Sequence, residues 1–324
     1  MEKFIRSVTS VLLTCTLICW AVPSNADDYP AKRISIVVPF APGGPTDALA
    51  RAIANELQQR WAQPVVVENK PGGGGIIAGQ TVARAQPDGY TLFMTSTGFV
   101  STLDLFFKDR PFDPSKDLAS VTLIASAPFI ITTPTAIPPR TMKDFVAYVK
   151  SNPGKLNYAT IGGGTMEIDM ALFAKNLGLE MVKVPFNGSA PASLSLASND
   201  VQLYFNGVFS SKPMVESGKI VRLATTGERR FSLVPDLPTL KELGMDFTAT
   251  YAFGILLPGK TPRVIVDKLN KELRSIIEAP QVAQKIAEAG LAATPSTPEE
   301  MAKMMEDEAK RYKQGAVVAK IVPQ

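Results

Sequence analysis

Histidine is absent from the 324 residues, and the only two cysteines, Cys15 and Cys19, fall within the first 26. Without imidazole or thiol there is no histidine general base, no Ser-His-Asp triad, no cysteine nucleophile and no histidine or cysteine metal site. Catalysis is left with carboxylate, lysine, serine or tyrosine chemistry, and no S-x-x-K or G-x-S-x-G element organises it. The chain is therefore not expected to be an enzyme, and no catalytic residue, metal or cofactor is expected. Long apolar runs are scarce too. After Val11 to Val22, itself short for a span, no segment approaches the roughly 20 apolar residues that crossing a bilayer requires. Basic tracts are equally thin: the net charge is +4, and no lysine and arginine cluster is interleaved with aromatics. The densest charged group, Glu228-Arg229-Arg230, reads as a solvated turn, so no nucleic acid partner is expected.

The short apolar run has a purpose of its own. Glu2, Lys3 and Arg6 precede it, and Ser24-Asn25-Ala26 supplies small residues where a signal peptidase reads, the pattern of a secretory signal cleaved after Ala26. Bulky Ile18 before Cys19 argues against lipid attachment there. Cleavage leaves 298 residues with no thiol, no possible disulfide and a net charge of +3, since the signal carries two cations and one anion. The hydrophobic content of 45% is ample for one large domain or two ordinary ones.

What is present in quantity is the strand-to-helix junction. Ile34-Ser35-Ile36-Val37-Val38-Pro39-Phe40 breaks into Ala41-Pro42-Gly43-Gly44-Pro45-Thr46-Asp47, after which a helical pattern runs to Trp61. A glycine-rich turn at a helix N-terminus leaves backbone N–H groups unpaired and aims the positive end of the helix dipole at one point. It can hold an anion with no cationic side chain, and a carboxylate is the expected guest. A second junction of the same make occurs where Leu156 to Ile161 runs into Gly162-Gly163-Gly164-Thr165 and the amphipathic stretch Met166 to Leu177. Two such turns in separate halves point to two lobes gripping one small anion. Asp47 has a plainer role available, complementing the dipole of its own helix by about 0.3–1 kcal/mol.

Short apolar runs alternate with helical ones along the whole chain, the signature of βα units around a mainly parallel sheet. Strands are expected at 34–40, 65–68 and 90–95, with helices at 46–61 and 76–84 between them. Strands at 121–124 and 129–132 look like a crossing into a second lobe, followed by a helix capped by Thr141 with Asp144 three residues on. That lobe continues through 182–185, a helix at 190–198, a strand at 201–206, a turn ending at Gly218-Lys219 and a strand at 221–225. The return strand is 251–257. Helices at 262–277, 281–290 and 298–313 follow, with Thr261-Pro262 and the capping box of Thr297-Pro298-Glu299-Glu300 at their starts. Residues 27–127 with 252–324 then form lobe 1, residues 128–251 an inserted lobe 2, and the hinges fall near 126–130 and 250–254. Gly73, Gly75 and Ala78 match G-x-G-x-x-A spacing, but the next strand ends in Ser96-Thr97-Gly98 with no carboxylate for a ribose, so the glycines read as a structural turn.

The segments Pro39-Phe40-Ala41-Pro42-Gly43-Gly44-Pro45-Thr46-Asp47, Val67 to Gly75 and Gln86 to Leu92 resemble the tripartite tricarboxylate transporter receptors, also called Bug proteins. So do Val184 to Ala192, Leu233 to Thr239 and Leu256 to Pro262, in order along essentially the whole mature chain. The resemblance implies a two-lobed α/β "Venus flytrap", type II-like, located in the periplasm. It implies a monomer that binds a small-molecule carboxylate and presents it to the membrane permease subunits of a tripartite transporter, or, alternatively, to a sensor protein. A periplasmic enzyme using Asp47 or Glu167 as base is the more remote alternative. Carried over position by position, the ligand-binding residues are Phe40, Ala41, Gly43, Gly44, Thr46 and Asp47 on one side, Ile161, Gly162, Gly163, Gly164 and Thr165 on the other, Ser96 and Thr97 between them, and Asn206. The chain departs from the family pattern at Phe186-Asn187, where the family usually has Tyr-Lys, and at Asn206, often an aspartate. It departs again at Met166-Glu167-Ile168-Asp169, where a histidine is common. Glu167 is thereby a candidate contact for a cationic or hydroxylated ligand tail.

Overall fold

A computed structural model describes residues 29–43, 45–161, 164–186 and 188–323; the signal expected in residues 1–26, and positions 44, 162, 163 and 187, lie outside the described residues. The chain folds into two α/β lobes, each around its own sheet. The first sheet begins with β1 (Ile34–Val38), β2 (Val65–Asn69) and β3 (Thr91–Ser96), where β1 pairs parallel to both others. Long antiparallel strands β4 (Leu118–Pro128) and β10 (Thr250–Pro258) and the short β11 (Ala292–Ala293) complete the order β11-β4-β10-β3-β1-β2. The second sheet has the order β7-β6-β8-β5-β9, from β5 (Ile130–Pro134), β6 (Leu156–Ile161), β7 (Met181–Phe186), β8 (Leu203–Asn206) and β9 (Ile220–Thr225). Here β6 is parallel to β7 and β8, and β5 is antiparallel to β8 and β9.

Helices cover both faces of the first sheet, which is why β1 is an almost unbroken apolar run. On one face Ile34, Ile36 and Val38 pack with Ile53 and Leu57 of α1 (Pro45–Trp61). On the other, Val37 packs with Ala78 and Val82 of α2 (Ile76–Ala83) and with Val100 and Leu103 of α3 (Thr97–Phe106). The strand stops at Val38 rather than Phe40 because Pro39 has no N–H to continue a ladder. A single turn, α4 (Pro114–Asp117), precedes β4.

In the second lobe, Phe145 of α5 (Met142–Lys150) and Phe173 of α6 (Thr165–Leu177) bury with Phe205, while α7 (Ser189–Ala197) covers the opposite face through Ala192 and Leu196. Residues 208–216, expected as part of a turn, form α8 (Val208–Glu216) around an internal Pro213. The chain leaves the first sheet at Pro128, enters the second at Ile130 and rejoins the first at Thr250.

The C-terminal helices are α9 (Arg263–Glu278), α10 (Pro280–Glu288) and α11 (Pro298–Ala319). The capping box of α11 forms as the sequence predicts, Thr297 accepting from the Glu300 N–H and Glu300 from the Thr297 N–H. Thr261 does not cap α9: its hydroxyl donates to the Pro258 carbonyl at 2.7 Å, and Pro262 takes the cap position. Helix α11 does more than return to the first lobe. Tyr312, Ala316 and Ala319 bury against Ile168 of α6, with Leu105 and Phe106 of α3 alongside, so one helix docks on both lobes.

Candidate functional site

Parallel α/β sheets place ligands beyond the carboxyl ends of their strands. Three such ends meet here. After β1 the chain turns through Pro39 and Phe40; β3 runs directly into α3; β6 runs through the second glycine turn into α6. Around their meeting point is a cavity of about 190 Å³ lined by Pro39, Phe40, Thr95 and Ser96 from the first lobe and by Gly164 and Thr165 from the second. The lobes nearly touch at this point, since a Cβ built on Gly98 would lie 2.7 Å from Cγ2 of Thr165.

Phe40, Ser96, Gly164 and Thr165 therefore come together as cavity walls, with Ser96 also capping α3 by accepting the Phe99 N–H at 3.3 Å. Ala41 and Gly43 are exposed on the first turn, where Gly43 takes φ +87°, a conformation that favours glycine. Thr46 and Asp47 are buried behind that turn. The Asp47 carboxylate accepts from the Gly43 N–H at 3.0 Å, from Nε and Nη2 of Arg51 at 2.9 and 3.0 Å, and from Nδ2 of Asn69 at 2.9 Å. The Arg51 guanidinium, assisted by these donors, holds the carboxyl down at about 2. Asp47 thus shapes the turn from inside. Gly44, Gly162 and Gly163 lie outside the described residues.

Thr97 is buried at the head of α3, its hydroxyl directed to the Ala252 carbonyl and to Glu308 of α11. Ile161 is half-buried at the end of β6. Asn206 is buried at the end of β8, accepting from the Ser210 hydroxyl at 2.6 Å and the Gly207 N–H at 3.0 Å; it does not line the cavity. Nor does Glu167, which is buried and receives the Lys183 ammonium at 2.5 Å.

The sequence reading missed the back wall. Phe99, Thr102, Leu103, Phe106 and Phe107, on and just after α3, line the cavity together with Gly74. Their spacing is helical, and Ser96 stands at an N-cap position before them, so the signal was present.

Behind the cavity the two lobes share a buried ionic group. Asp169 of α6 places Oδ1 3.3 Å from Nη1 of Arg311, while the Tyr312 hydroxyl donates to Oδ2 at 3.4 Å. Arg311 also donates to the Thr248 carbonyl at 3.0 Å. Burial pushes the Asp169 carboxyl up to about 7, against the pull of Arg311, and raises Glu308, which accepts from Ser101 and Thr97. Two larger grooves, about 670 and 520 Å³, run along α11 and contain none of the predicted site residues.

Known proteins share this two-lobed fold. The structure of Rpa4515 of R. palustris with adipate is 32% identical and superposes with a TM-score of 0.79, covering 92% of this chain and 100% of that one. MatC of Rhodopseudomonas palustris with bound malate is 30% identical with a TM-score of 0.73, covering 89% and 99%. BugT of Bordetella pertussis is 30% identical over 296 residues, 90% of each chain. The model of the tripartite tricarboxylate transporter family receptor matches residues 49–322, taking in both lobes and α11. With two lobes meeting at paired strand-to-helix turns, and that match over most of its length, the chain belongs to the tripartite tricarboxylate transporter receptors, the Bug family of solute-binding proteins.

Proposed function

We propose that this protein is a periplasmic, monomeric receptor that captures a small carboxylate between its lobes and delivers it to the permease subunits of a tripartite transporter without altering it. The observation that carries the reading is the convergence of three strand-to-helix junctions, from both lobes, on one cavity. Helix N-termini offer N–H donors and positive dipole ends to an anion. The family, and relatives holding adipate and malate, supply the carboxylate class. The lobes in this reading are residues 27–127 with 252–324 and residues 128–251, hinged where β4 passes to β5 and where β10 returns. The clamp comprises the turn after β1, Ser96 with the head of α3, and the turn before α6.

Charge-assisted hydrogen bonds contribute about 1.5–3 kcal/mol each. A few of them, less the ordering cost, reach the roughly −8 kcal/mol of micromolar binding. The test is calorimetry of the chain beginning at Asp27 against mono-, di- and tricarboxylates. Saturable micromolar binding is expected, reduced at least tenfold in Gly98→Val, whose side chain would hold Thr165 and its lobe away. Absence of binding across all these classes would overturn the receptor reading.

A further inference from the structure

The cavity is lined by both polar and aromatic groups. Phe40, Thr95, Ser96, Gly164 and Thr165 come from the junctions, whereas Phe99, Leu103, Phe106 and Phe107, with Thr102 the one polar side chain among them, form the wall along and just after α3. Among the described residues, no lysine or arginine lines it. Arg51 of α1 pairs with Asp47, and Lys183 of β7 with Glu167. Two further observations point to a ligand in this cavity. Phe40, which lines the cavity, is 41% exposed and so open to a ligand from solvent. The Thr95 hydroxyl is buried with no hydrogen-bond partner among the described residues.

From this geometry we infer that the ligand is a monocarboxylate with an apolar, ring-bearing body, rather than a di- or tricarboxylate. The inference rests on the receptor reading above and specifies its substrate class. One carboxylate sits at the junctions, where backbone donors and the Ser96 and Thr165 hydroxyls can meet it. A second carboxylate would have to lie against Phe106 and Phe107, whose rings offer it no hydrogen-bond donor, and an unpaired buried charge is heavily penalised. A ring meets no such penalty: aromatic pairs favour offset or edge-to-face contact, and Phe99 already packs edge-on against Phe93, with centroids 6.4 Å apart. Size agrees. An apolar cavity of about 150 Å³ accepts benzene, and this one, at about 190 Å³, leaves room for a carboxylate as well.

Backbone geometry sustains the aromatic wall. Gly74 and Gly75 take φ +62° and +106° and leave space that a Cβ would remove, 3.3 Å from the Phe107 ring and 3.0 Å from the Phe99 ring respectively. Gly74 and Gly75 are thus fitted to the rings, while Gly72 and Gly73 face Ile76 and Ile77. Sequence spacing alone had offered only a structural turn there.

The experiment is calorimetry of the full mature chain with benzoate, phenylacetate, succinate and citrate, alongside the Phe40→Ala and Phe107→Leu variants. Benzoate or phenylacetate is expected to bind at least tenfold more tightly than succinate or citrate. Phe40→Ala, at an exposed position that leaves the core intact, is expected to weaken the ring acids at least fivefold, and Phe107→Leu, which keeps an apolar core, at least threefold. Tighter binding of succinate or citrate, lost in Gly98→Val, would overturn the inference and leave the receptor reading standing. Ring-acid binding insensitive to both phenylalanine variants would overturn it too. Silence with all four acids would overturn the inference together with the carboxylate receptor reading.

Discussion

Asp47 illustrates how a residue in a binding turn can act without facing the ligand. It is only 4% exposed, and its carboxylate collects four donors from Gly43, Arg51 and Asn69. Removing it would take the partner of the Gly43 N–H and one of the two acceptors of the Asn69 amide, which keeps the Phe40 carbonyl, a loss of about 1–3 kcal/mol. Asp47→Ala is therefore expected to lower the unfolding free energy by that amount in a urea titration and to weaken ligand binding through the displaced turn. The sign of the pH effect follows from a lowered carboxyl. The stabilisation is complete above the ordinary aspartate range and is lost as pH falls through about 2. Acid unfolding of the wild type should therefore show a component near that value that Asp47→Ala lacks.

At the scale of elements, β1, α1 and the Thr297–Glu300 capping box of α11 were legible because their signals are local: an apolar run, a helical period, a hydroxyl three residues before a carboxylate. Helix α3 is hidden although Ser96, Phe99, Val100, Leu103 and Phe106 carry both a cap and a period, because the strand flows straight into it and Gly98, inside its first turn, reads as the end of an element. That omission hid the aromatic half of the cavity. Helix α8 was obscured in a similar way, since Gly207, Pro213 and Gly218 all read as breakers. Thr261 had the right position for a cap, but the nearby Pro258 carbonyl draws its hydroxyl. The role of α11 as a bridge was not legible at all, because a helical period shows that a face is buried and not which lobe buries it. Its docking on α6 depends on Gly315, where a Cβ would lie 2.4 Å from Ile168 Cγ2 and 2.8 Å from Leu172 Cδ1. Glycine is otherwise unfavourable inside a helix by about 1 kcal/mol. Gly315→Val is expected to overpack this contact, costing about 1–3 kcal/mol in chemical denaturation, whereas a valine at exposed Gln314 should change stability little.

Over the whole molecule, the buried group that joins the lobes also contains a carboxyl raised towards neutral pH. Asp169 on α6 faces Arg311, Tyr312 and Glu308 of α11, and Glu308 in turn faces Thr97 and Ser101 of α3. Chain connections join the lobes at β4–β5 and at the start of β10; α11 adds a packed, charged contact between them. Desolvation is the largest influence on Asp169 and Arg311 opposes it, leaving the carboxyl near 7. Because this value is raised above that of the unfolded chain, the group's favourable contribution is full below about pH 4. It is lost as pH rises through about 7, where the carboxylate must stay charged in a site with little water. The expected outcome is a rise in unfolding free energy as pH is lowered from 8 towards 5. Asp169→Asn, which keeps the shape and cannot ionise, should flatten that slope, as read by urea titrations across the range. Should the slope persist unchanged in Asp169→Asn, the titrating group would lie elsewhere, with Glu308 the next to replace. Ligand affinity measured at the same pH values would show whether the stability of the bridge carries over to the cavity: Thr97 and Ser96 are consecutive, so a shift of Glu308 against Thr97 is transmitted to the head of α3, where the carboxylate is proposed to bind.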